Sequence, residues 1–389
     1  MLGALLHSQA RPVYKKQQLS QTDVSVLMGY YTQSGDHSAI TGGMGTEQLV
    51  VFEPQVAIEH TFDSLNKASF SGGVDVVSSA SADNIDFIPS SASRLDNRTH
   101  LAAGYERRLK HRPTSFGINA GYSLESAYQS VPVGISFSHT AHDGATAISA
   151  ALQCYFDDLR WGRLTMDYGR PVELVYPAEL RYRKWFDNYL RQSYNLSGSF
   201  SQIINKRLRV ALFPEIDYQQ GLLCTPYHRV YFKDGDERVE TLPGKRFKLS
   251  IGTQAAYFAG SRTILRGSYR FYADDFGIIA NSVQVQAALK LSPLISITPQ
   301  FRFHTQSASR YFAAYGAHDP SERFFTSDYD LSALQSYEPG IAFRYAPQLP
   351  LARKLFFREL EARYSFYRRS DGLAAHLLSL NISLRRKSE

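Results

Sequence analysis

The sequence predicts an all-β chain that folds as a transmembrane, antiparallel, up-and-down β-barrel of about 16 strands. Three observations lead to this prediction. Apolar and polar side chains alternate in segment after segment, short and long connections alternate between the segments, and aromatic residues stand near the segment ends. No apolar run approaches the roughly 18 residues of a membrane-spanning helix, which excludes an α-helical membrane protein.

The segment at residues 294–306, LISITPQFRFHTQ, shows the alternation most clearly. Most of the alternate residues from Ile295 to Thr305 are apolar, and the residues between them are polar or charged. Because successive strand side chains point to opposite faces, this strand has one apolar face and one polar face. A barrel in a membrane places the apolar face against lipid and the polar face toward its interior.

The same alternation recurs along nearly the whole chain. The clearer outward-facing sets lie within residues 24–30, 50–58, 68–76, 116–124, 131–137, 148–156, 194–200, 208–218, 247–257, 265–271, 283–289, 295–305, 337–345, 360–366 and 378–384. A further strand, around Leu101 to Tyr105, has the weakest pattern. The strand total is therefore about 16, with 14 as the even-numbered alternative.

Connection lengths and aromatic positions agree with a bacterial barrel. The connections at 110–113, 141–144, 205–206, 259–261 and 292–293 are tight, whereas 31–46, 78–96, 157–185, 222–243 and 307–328 are long and polar. Bacterial barrels have short periplasmic turns and longer extracellular loops, so both termini are predicted to be periplasmic. Strands finish with outward aromatic residues such as Tyr30 and Phe303 near the loops, and Phe137 and Tyr257 near the turns, as interfacial girdles do.

We expect one domain with two short flanking segments. Residues 1–20 are a residual signal-like segment or a periplasmic N-terminal tail, 21–385 the barrel, and 386–389 a C-terminal tail. The net charge of +7 is scattered, which argues against nucleic acid as a partner. Two cysteines are too few for a disulfide framework or a zinc site, and neither a metal nor a cofactor is expected. The predicted surroundings are the bacterial outer membrane, with its lipid bilayer and lipopolysaccharide.

The stretch at residues 194–232, YNLSGSFSQIINKRLRVALFPEIDYQQGLLCTPYHRVYF, resembles domain-of-unknown-function family 3570 of Gram-negative outer membranes. The later motifs LPGKRFKLSIG, SYRFYADDFGI and TPQFRFHTQSASRYF continue the likeness in order. The resemblance implies an outer-membrane barrel inserted by the assembly machinery, which must then tolerate an ending ISLRRKSE without a terminal aromatic residue. Genes of this family are thought to lie near flavin-transferase-like and thioredoxin-like proteins. The resemblance therefore also implies an alternative, a barrel that sheathes a periplasmic lipoprotein or redox partner as an electron-transfer conduit.

The polar faces of the predicted strands carry many charged side chains. The candidate lumen-lining residues are Arg209, Glu215, Asp217, Arg266, Arg270, Arg302, His304, Arg344, Glu359, Glu361 and Arg363. Such charges either line an ion-selective channel or pair across the interior and close it. Because the arginines outnumber the carboxylates in this set, an open lumen would prefer anions weakly.

Two groups of loop residues are further candidates. The motif TPYHR supplies Tyr227, His228 and Arg229, and YADDFG supplies Asp274 and Asp275. The acidic pair, with the DGDE sequence at 234–237, offers oxygen ligands for a calcium site at the outer rim, but DGDE lacks the remaining ligands of a calcium loop. A solvated acidic loop, or pairing with loop arginines, is the preferred interpretation. We also weighed His228 with Asp217 as a catalytic pair and expect a structural role instead, because no nucleophile motif accompanies them.

The function predicted from the sequence is a porin-like passage for small solutes rather than an enzyme. The sheath for a periplasmic partner is the alternative from a different class. A third hypothesis is a structural or adhesive surface protein that works through its long loops.

Overall fold

The computed structural model describes residues 20–79, 95–110, 112–125, 129–159, 189–225 and 228–387 of the 389-residue chain. This part of the chain contains sixteen long strands, each antiparallel to its neighbours and arranged in chain order. The first and last strands, Gln21–Ser34 and Ala374–Lys387, pair from end to end and close the sheet. The predicted up-and-down barrel is therefore confirmed, with sixteen strands rather than fourteen.

The weakest predicted strand is real, because residues 101–105 lie inside the strand Leu95–Arg108. In chain order the sixteen strands are Gln21–Ser34, Leu49–Thr61, Asn66–Ser79, Leu95–Arg108, Thr114–Leu124, Gln129–Thr140, Thr146–Asp158, Leu190–Ile203, Leu208–Gly221, Lys245–Ala259, Thr263–Asp274, Ile279–Lys290, Ile295–Gln306, Leu334–Tyr345, Leu355–Arg369 and Ala374–Lys387.

The register joins the predicted apolar positions into continuous rows around the barrel. Directly paired residues of antiparallel strands share a face, so a row of partners shows what that face presents. One row runs through nine consecutive strands as Ile58, Phe70, Ala103, Ala120, Val133, Cys154, Tyr194, Tyr218 and Phe247. Every member is apolar or aromatic. The outer face is thus suited to a hydrocarbon environment.

The two ends of the barrel differ in their connections. At one end of the barrel, which we call the turn end, the first strand begins and the last strand ends. Every connection there is short, and the longest spans residues 346–354. The opposite end is called the loop end. At the loop end, long connections at 35–48, 80–94, 159–189, 222–244 and 307–333 are interspersed with tight ones at 125–128, 275–278 and 370–373. The prediction that every turn-end connection is short is confirmed. The predicted alternation of short and long connections is wrong at three loop-end positions, where only four residues separate consecutive strands.

The buried core of the described residues lies at the loop end rather than in the barrel wall. The largest fully buried side chains all belong to loop-end connections: Val230, Phe232, Val239, Phe276, His318, Thr326 and Ser327. The wall has no such core because its apolar side chains point outward, with Ile118 and Ile135 more than half exposed. No helix in the described part of the chain is both long and apolar enough to span a membrane.

Candidate functional site: the barrel interior and its cap

Three connections at the loop end fold together into a unit that we call the cap. They are the first loop (residues 35–48), the hairpin loop (222–244) and the long loop (307–333). The hairpin loop contains a short antiparallel pair, Arg229–Tyr231 with Glu237–Val239. Its turn requires Gly235, whose φ of 83° lies in the left-handed region that favours glycine. Apart from the candidate residues of the hairpin loop, the sequence predicts these three connections only as long polar loops.

An aromatic cluster holds the hairpin loop against the long loop. The rings of Phe232 and Phe325 meet edge to face with 4.9 Å between their centroids, and Val230 packs beside them. Their burial supplies the cap with the kind of apolar core found in a water-soluble domain. The Arg238 guanidinium lies 4.2 Å from the Phe232 ring centroid and covers its outer side.

The first loop is the third component of the cap. Its His37 ring stacks on Tyr329 of the long loop at 3.8 Å between centroids. Its backbone comes so close to the other two loops that glycine is needed at two positions. A Cβ atom would lie 2.5 Å from Tyr231 if placed on Gly42, and 2.8 Å from the Ser327 carbonyl oxygen if placed on Gly43. Both glycines also have positive φ values.

A histidine and two carboxylates meet where the hairpin loop contacts the long loop. His228 Nδ1 lies 3.6 Å from Glu240 Oε1 and 3.8 Å from Asp328 Oδ2. Burial disfavours the imidazolium, but the charges of Glu240 and Asp328 outweigh it and raise the pKa of His228 to about 9. Burial raises the pKa of Asp328 to about 6. The pKa of Glu240 is lowered, since the charge of His228 overcomes the effect of burial.

In the barrel interior, most of the predicted arginines form ion pairs along the wall. Arg270 pairs with Glu215 at 2.5 Å, two strands away, and Arg302 with Glu338 at 2.8 Å, on the neighbouring strand. The remaining interior pairs among the candidates are Arg344 with Glu359 at 2.5 Å and Arg363 with Glu361 at 2.8 Å. Each pair joins residues of the same strand, of adjacent strands or of two strands with one strand between them. These pairs therefore line the wall rather than span the interior.

Two predicted arginines differ from the others. Arg209 and Arg266 have no ion pair with another described residue, and Arg209 donates a hydrogen bond to Ser201 at 3.2 Å. Both are register partners of Ala256, which places them on either side of one strand near the turn end. They form a small positively charged patch on the inner wall.

The last two interior candidates are hydrogen-bonded to the wall. Asp217 accepts a hydrogen bond from Asn195 at 2.7 Å. His304 Nδ1 lies 2.7 Å from the Ser282 hydroxyl. The Asp217 and His228 side chains therefore have different partners, one in the wall and one in the cap, and the pair weighed as catalytic is not formed.

The interior contains sizeable cavities at several heights. A cavity of about 720 Å³ lies under the cap, bounded by Arg270 and Arg302 of the wall and by Asp330 of the long loop. A second, of about 740 Å³, opens at the turn end beside Lys67 and Arg108. A third, of about 290 Å³, lies against the wall near Arg98, Asp157 and Arg191. The interior thus contains cavities towards both ends of the barrel, and Asp330 of the long loop bounds the one at the loop end.

The loop candidates are dispersed over the cap and strand ends. Tyr227 lies outside the described residues. Arg229 pairs with Glu237 at 3.1 Å. Asp274 accepts a hydrogen bond from Arg246 Nε at 3.0 Å, and Asp275 accepts one from the Phe247 amide at 3.0 Å. The acidic residues weighed as a calcium site thus have separate protein partners.

Sequence reasoning missed several residues of the cap and interior. Glu338 could have been found, because it lies between outward Tyr337 and Pro339 in an alternating strand. Phe232 and Phe325 are less easily recognised in the sequence, as single apolar residues within polar loops. Glu240 and Asp328 could not be recognised from the sequence, because only the tertiary fold brings them to His228.

The chain belongs to the family described as "Protein of unknown function (DUF3570)", whose model matches residues 3–378. No curated protein matches its sequence. Its structure is similar to a "Bacterial polysaccharide outer membrane secretin" with 10% identity, 96% of this chain and 100% of that chain covered, and a TM-score of 0.46. A BenF-like porin from Pseudomonas fluorescens Pf-5 is similar with 8% identity, 95% of this chain and 99% of that chain covered, and a TM-score of 0.46. The outer membrane protein opdK from Pseudomonas aeruginosa is similar with 8% identity, 94% of this chain and 99% of that chain covered, and a TM-score of 0.42.

Proposed function

We propose that this family member is an integral outer-membrane β-barrel that gives small solutes a porin-like passage. In this proposal the apolar outer rows meet the lipid bilayer and lipopolysaccharide, the turn end faces the periplasm, and the assembly machinery inserts the chain. The observation that carries the proposal is the arrangement of the interior ion pairs. They run along the wall between nearby strands, and Glu215, Arg270 and Arg302 line the cavity of about 720 Å³.

The proposed passage has a weak preference for anions. Where an arginine and a carboxylate pair on the wall, their fields largely cancel for an ion in the lumen. Arg209 and Arg266 lack such partners among the described residues, so their charge acts on passing ions. Rings or patches of one sign of charge set the selectivity of a pore. The cap then limits which solutes reach the interior from outside.

The test is electrical. Purified protein in a planar lipid bilayer should show discrete conductance steps and a reversal potential that indicates weak anion preference in a salt gradient. Arg209→Gln combined with Arg266→Gln should shift the reversal potential toward cations. The matched control, Lys206→Gln with Arg207→Gln, removes the same charge from an exposed tight turn and should shift it less.

Two outcomes would contradict the proposal. A bilayer without conductance steps, despite correctly folded protein, would argue against a passage. If a periplasmic lipoprotein also co-purified with the barrel, the sheath alternative would replace it. Equal shifts in the two double variants would locate the selectivity outside the inner wall.

A further inference from the structure

His228, Glu240 and Asp328 come together because of how two loops are built. His228 directly precedes the first strand of the small hairpin, and Glu240 directly follows the second. The Glu240 amide donates to the His228 carbonyl oxygen at 3.0 Å, which continues the pairing by one residue. Asp328 arrives from the long loop, at the start of a short helical turn over Tyr329–Leu331. One atom of each side chain lies within 4.8 Å of the other two.

The separations between these atoms fit ligands around a metal ion better than hydrogen bonds. His228 Nδ1 is 3.6 Å from one carboxylate oxygen and 3.8 Å from the other. Both distances exceed the usual limit of about 3.2 Å for an N–H···O hydrogen bond. Ligand atoms about 2.1 Å from a tetrahedral ion lie roughly 3.4 Å apart. The two distances from His228 are close to this separation, and the two carboxylate oxygens lie within 4.8 Å of each other, so the three atoms surround an ion once they move closer together.

Both carboxylates are oriented by other protein groups. Glu240 Oε2 accepts a hydrogen bond from the Thr225 amide at 2.7 Å, and Glu240 Oε1 accepts one from the Thr326 hydroxyl. Asp328 Oδ1 accepts one from the Asp330 amide at 2.9 Å, which leaves Oδ2 facing His228. Partners of this kind fix the orientation of metal ligands and contribute to affinity.

The histidine nitrogen that faces the carboxylates is a buried polar atom that lies at ion-pair distance from both but forms no hydrogen bond with a described residue. His228 Nδ1 is inaccessible to solvent and has no hydrogen-bond partner among the described residues. Buried polar atoms are normally satisfied, so such an atom requires an explanation. The rest of the side chain is not fully buried, since 20% of it is exposed to solvent.

We propose that His228, Glu240 and Asp328 form a divalent-cation site suited to Zn²⁺, which links the hairpin loop to the long loop. One imidazole nitrogen and two carboxylate oxygens are a ligand set that Zn²⁺ accepts, with a fourth position left for water. The low cysteine count does not bear on this set, because it contains no thiolate. Since the ligands come from two loops, the ion stabilises the folded cap relative to states in which the loops separate.

The first test is the stoichiometry of Zn²⁺ in the folded full-length chain. Protein dialysed against Zn²⁺ and then against metal-free buffer should retain one ion per chain, measured by elemental analysis. Asp328→Asn and His228→Gln should each lower the affinity by tenfold or more. Two controls, Cys224→Ser in the hairpin loop and Asp319→Asn in the long loop, should retain the ion. Loss of the ion in the controls as well, or equal binding in all variants, would overturn the proposal.

A second test avoids the question of whether the ligand variants fold. In the unmodified protein, Zn²⁺ should slow amide hydrogen exchange in the hairpin and long loops and leave the barrel strands unchanged. Thr326→Val keeps all three ligands but removes a hydrogen bond to Glu240, so the affinity for Zn²⁺ should fall by about 10- to 100-fold. The proposal is wrong if Zn²⁺ changes exchange nowhere in the cap of the unmodified protein. Neither experiment measures conductance, so the outcome for the Zn²⁺ site does not depend on whether the proposed porin-like passage is correct.

Discussion

The barrel wall and the cap use their apolar side chains in opposite directions. In the wall, Leu212 points outward with its register partner Phe200 and is 40% exposed, while its neighbour Phe213 lines the interior cavity. In the cap, Phe232 is 2% and Phe325 3% exposed. The cap is stabilised by excluding water from a core, as a soluble domain is. The wall exposes its apolar surface, as a barrel whose outer face contacts lipid does.

The largest expected effect is in the cap core. Phe325→Ala removes a buried ring that contacts Phe232 and should lower the free energy of unfolding of the cap by about 3–5 kcal/mol. The neighbouring Phe324 is only half-buried, so Phe324→Ala should cost clearly less. Amide hydrogen exchange in the hairpin and long loops measures the difference. Heat-modifiable mobility on gels should show an intact barrel in both variants. Unfolding of the barrel together with the cap would contradict the separate stabilisation of the two regions.

The second effect concerns the lipid-facing side of the wall. Leu212→Arg should destabilise the barrel by roughly 2–4 kcal/mol, as a charge near the bilayer midplane does. Phe213→Arg places the same charge in the hollow interior and should change stability by about 0.5 kcal/mol or less. Urea unfolding in lipid vesicles compares the two. Equal losses at both positions would refute the assignment of the two faces.

A smaller effect is expected at the contact between the first and long loops. Gly43→Ala forces a side chain into a left-handed conformation at φ 86° and toward the Ser327 carbonyl oxygen, and should cost at least about 1 kcal/mol. Gly235→Ala has similar backbone strain at φ 83°, but its Cβ would meet nothing within 4 Å. Limited proteolysis of the long loop should therefore be faster in Gly43→Ala than in Gly235→Ala. Equal rates would mean that the first loop does not hold the long loop.

The smallest effect is a pH dependence of the cap. Burial first, and then Asp330, raise the pKa of Glu47 to about 7, with Asp328 and Asp371 adding to the effect and Arg369 opposing it. Because the folded state holds this proton more tightly, ionisation of Glu47 destabilises the cap. The cost is absent below the ordinary pKa of 4.5, grows as the pH rises and is complete above about 7.

Glu47→Gln tests this dependence. The substitution should slow hydrogen exchange in the first loop at pH 8 and leave it unchanged at pH 4, after correction for intrinsic exchange rates. A matched substitution in the same loop, Gln48→Glu, adds a carboxyl at an exposed position and should have little effect at either pH. A Glu47→Gln effect that is equal at both pH values would show that ionisation is not its cause.

The wall could be predicted from the sequence because its determinant is local. A period of two in polarity decides both the strand and its faces, as at Ile295 to Thr305. The strand at residues 95–108 was the least clear because LAAGY offers small residues where the other strands have branched or aromatic ones. The same rule places Phe213 on the interior face, where it lines the cavity under the cap.

The cap could not be predicted, because its determinants are contacts between distant segments. Phe232 and Phe325 lie in different loops, and no periodic pattern in the sequence around either residue indicates that they contact each other. His228 was singled out from its motif and expected to have a structural role, but no local pattern pointed to Glu240 and Asp328 as its neighbours. Asp217, the one partner considered for it, accepts a hydrogen bond from Asn195 in the wall. The ion pairs of the interior were likewise invisible, since register decides that Arg302 meets Glu338.

The contrast between wall and cap is tested most directly by fluorescence quenching from lipid. Both native tryptophans, Trp161 and Trp185, are first replaced by Phe, and a single Trp is then introduced by Leu212→Trp, Phe213→Trp or Phe232→Trp. In vesicles of phospholipid brominated on its acyl chains, the fluorescence should be strongly quenched for Leu212→Trp and hardly changed for the other two. Equal quenching for Leu212→Trp and Phe213→Trp, or strong quenching for Phe232→Trp, would contradict an outward apolar wall with a water-facing cap.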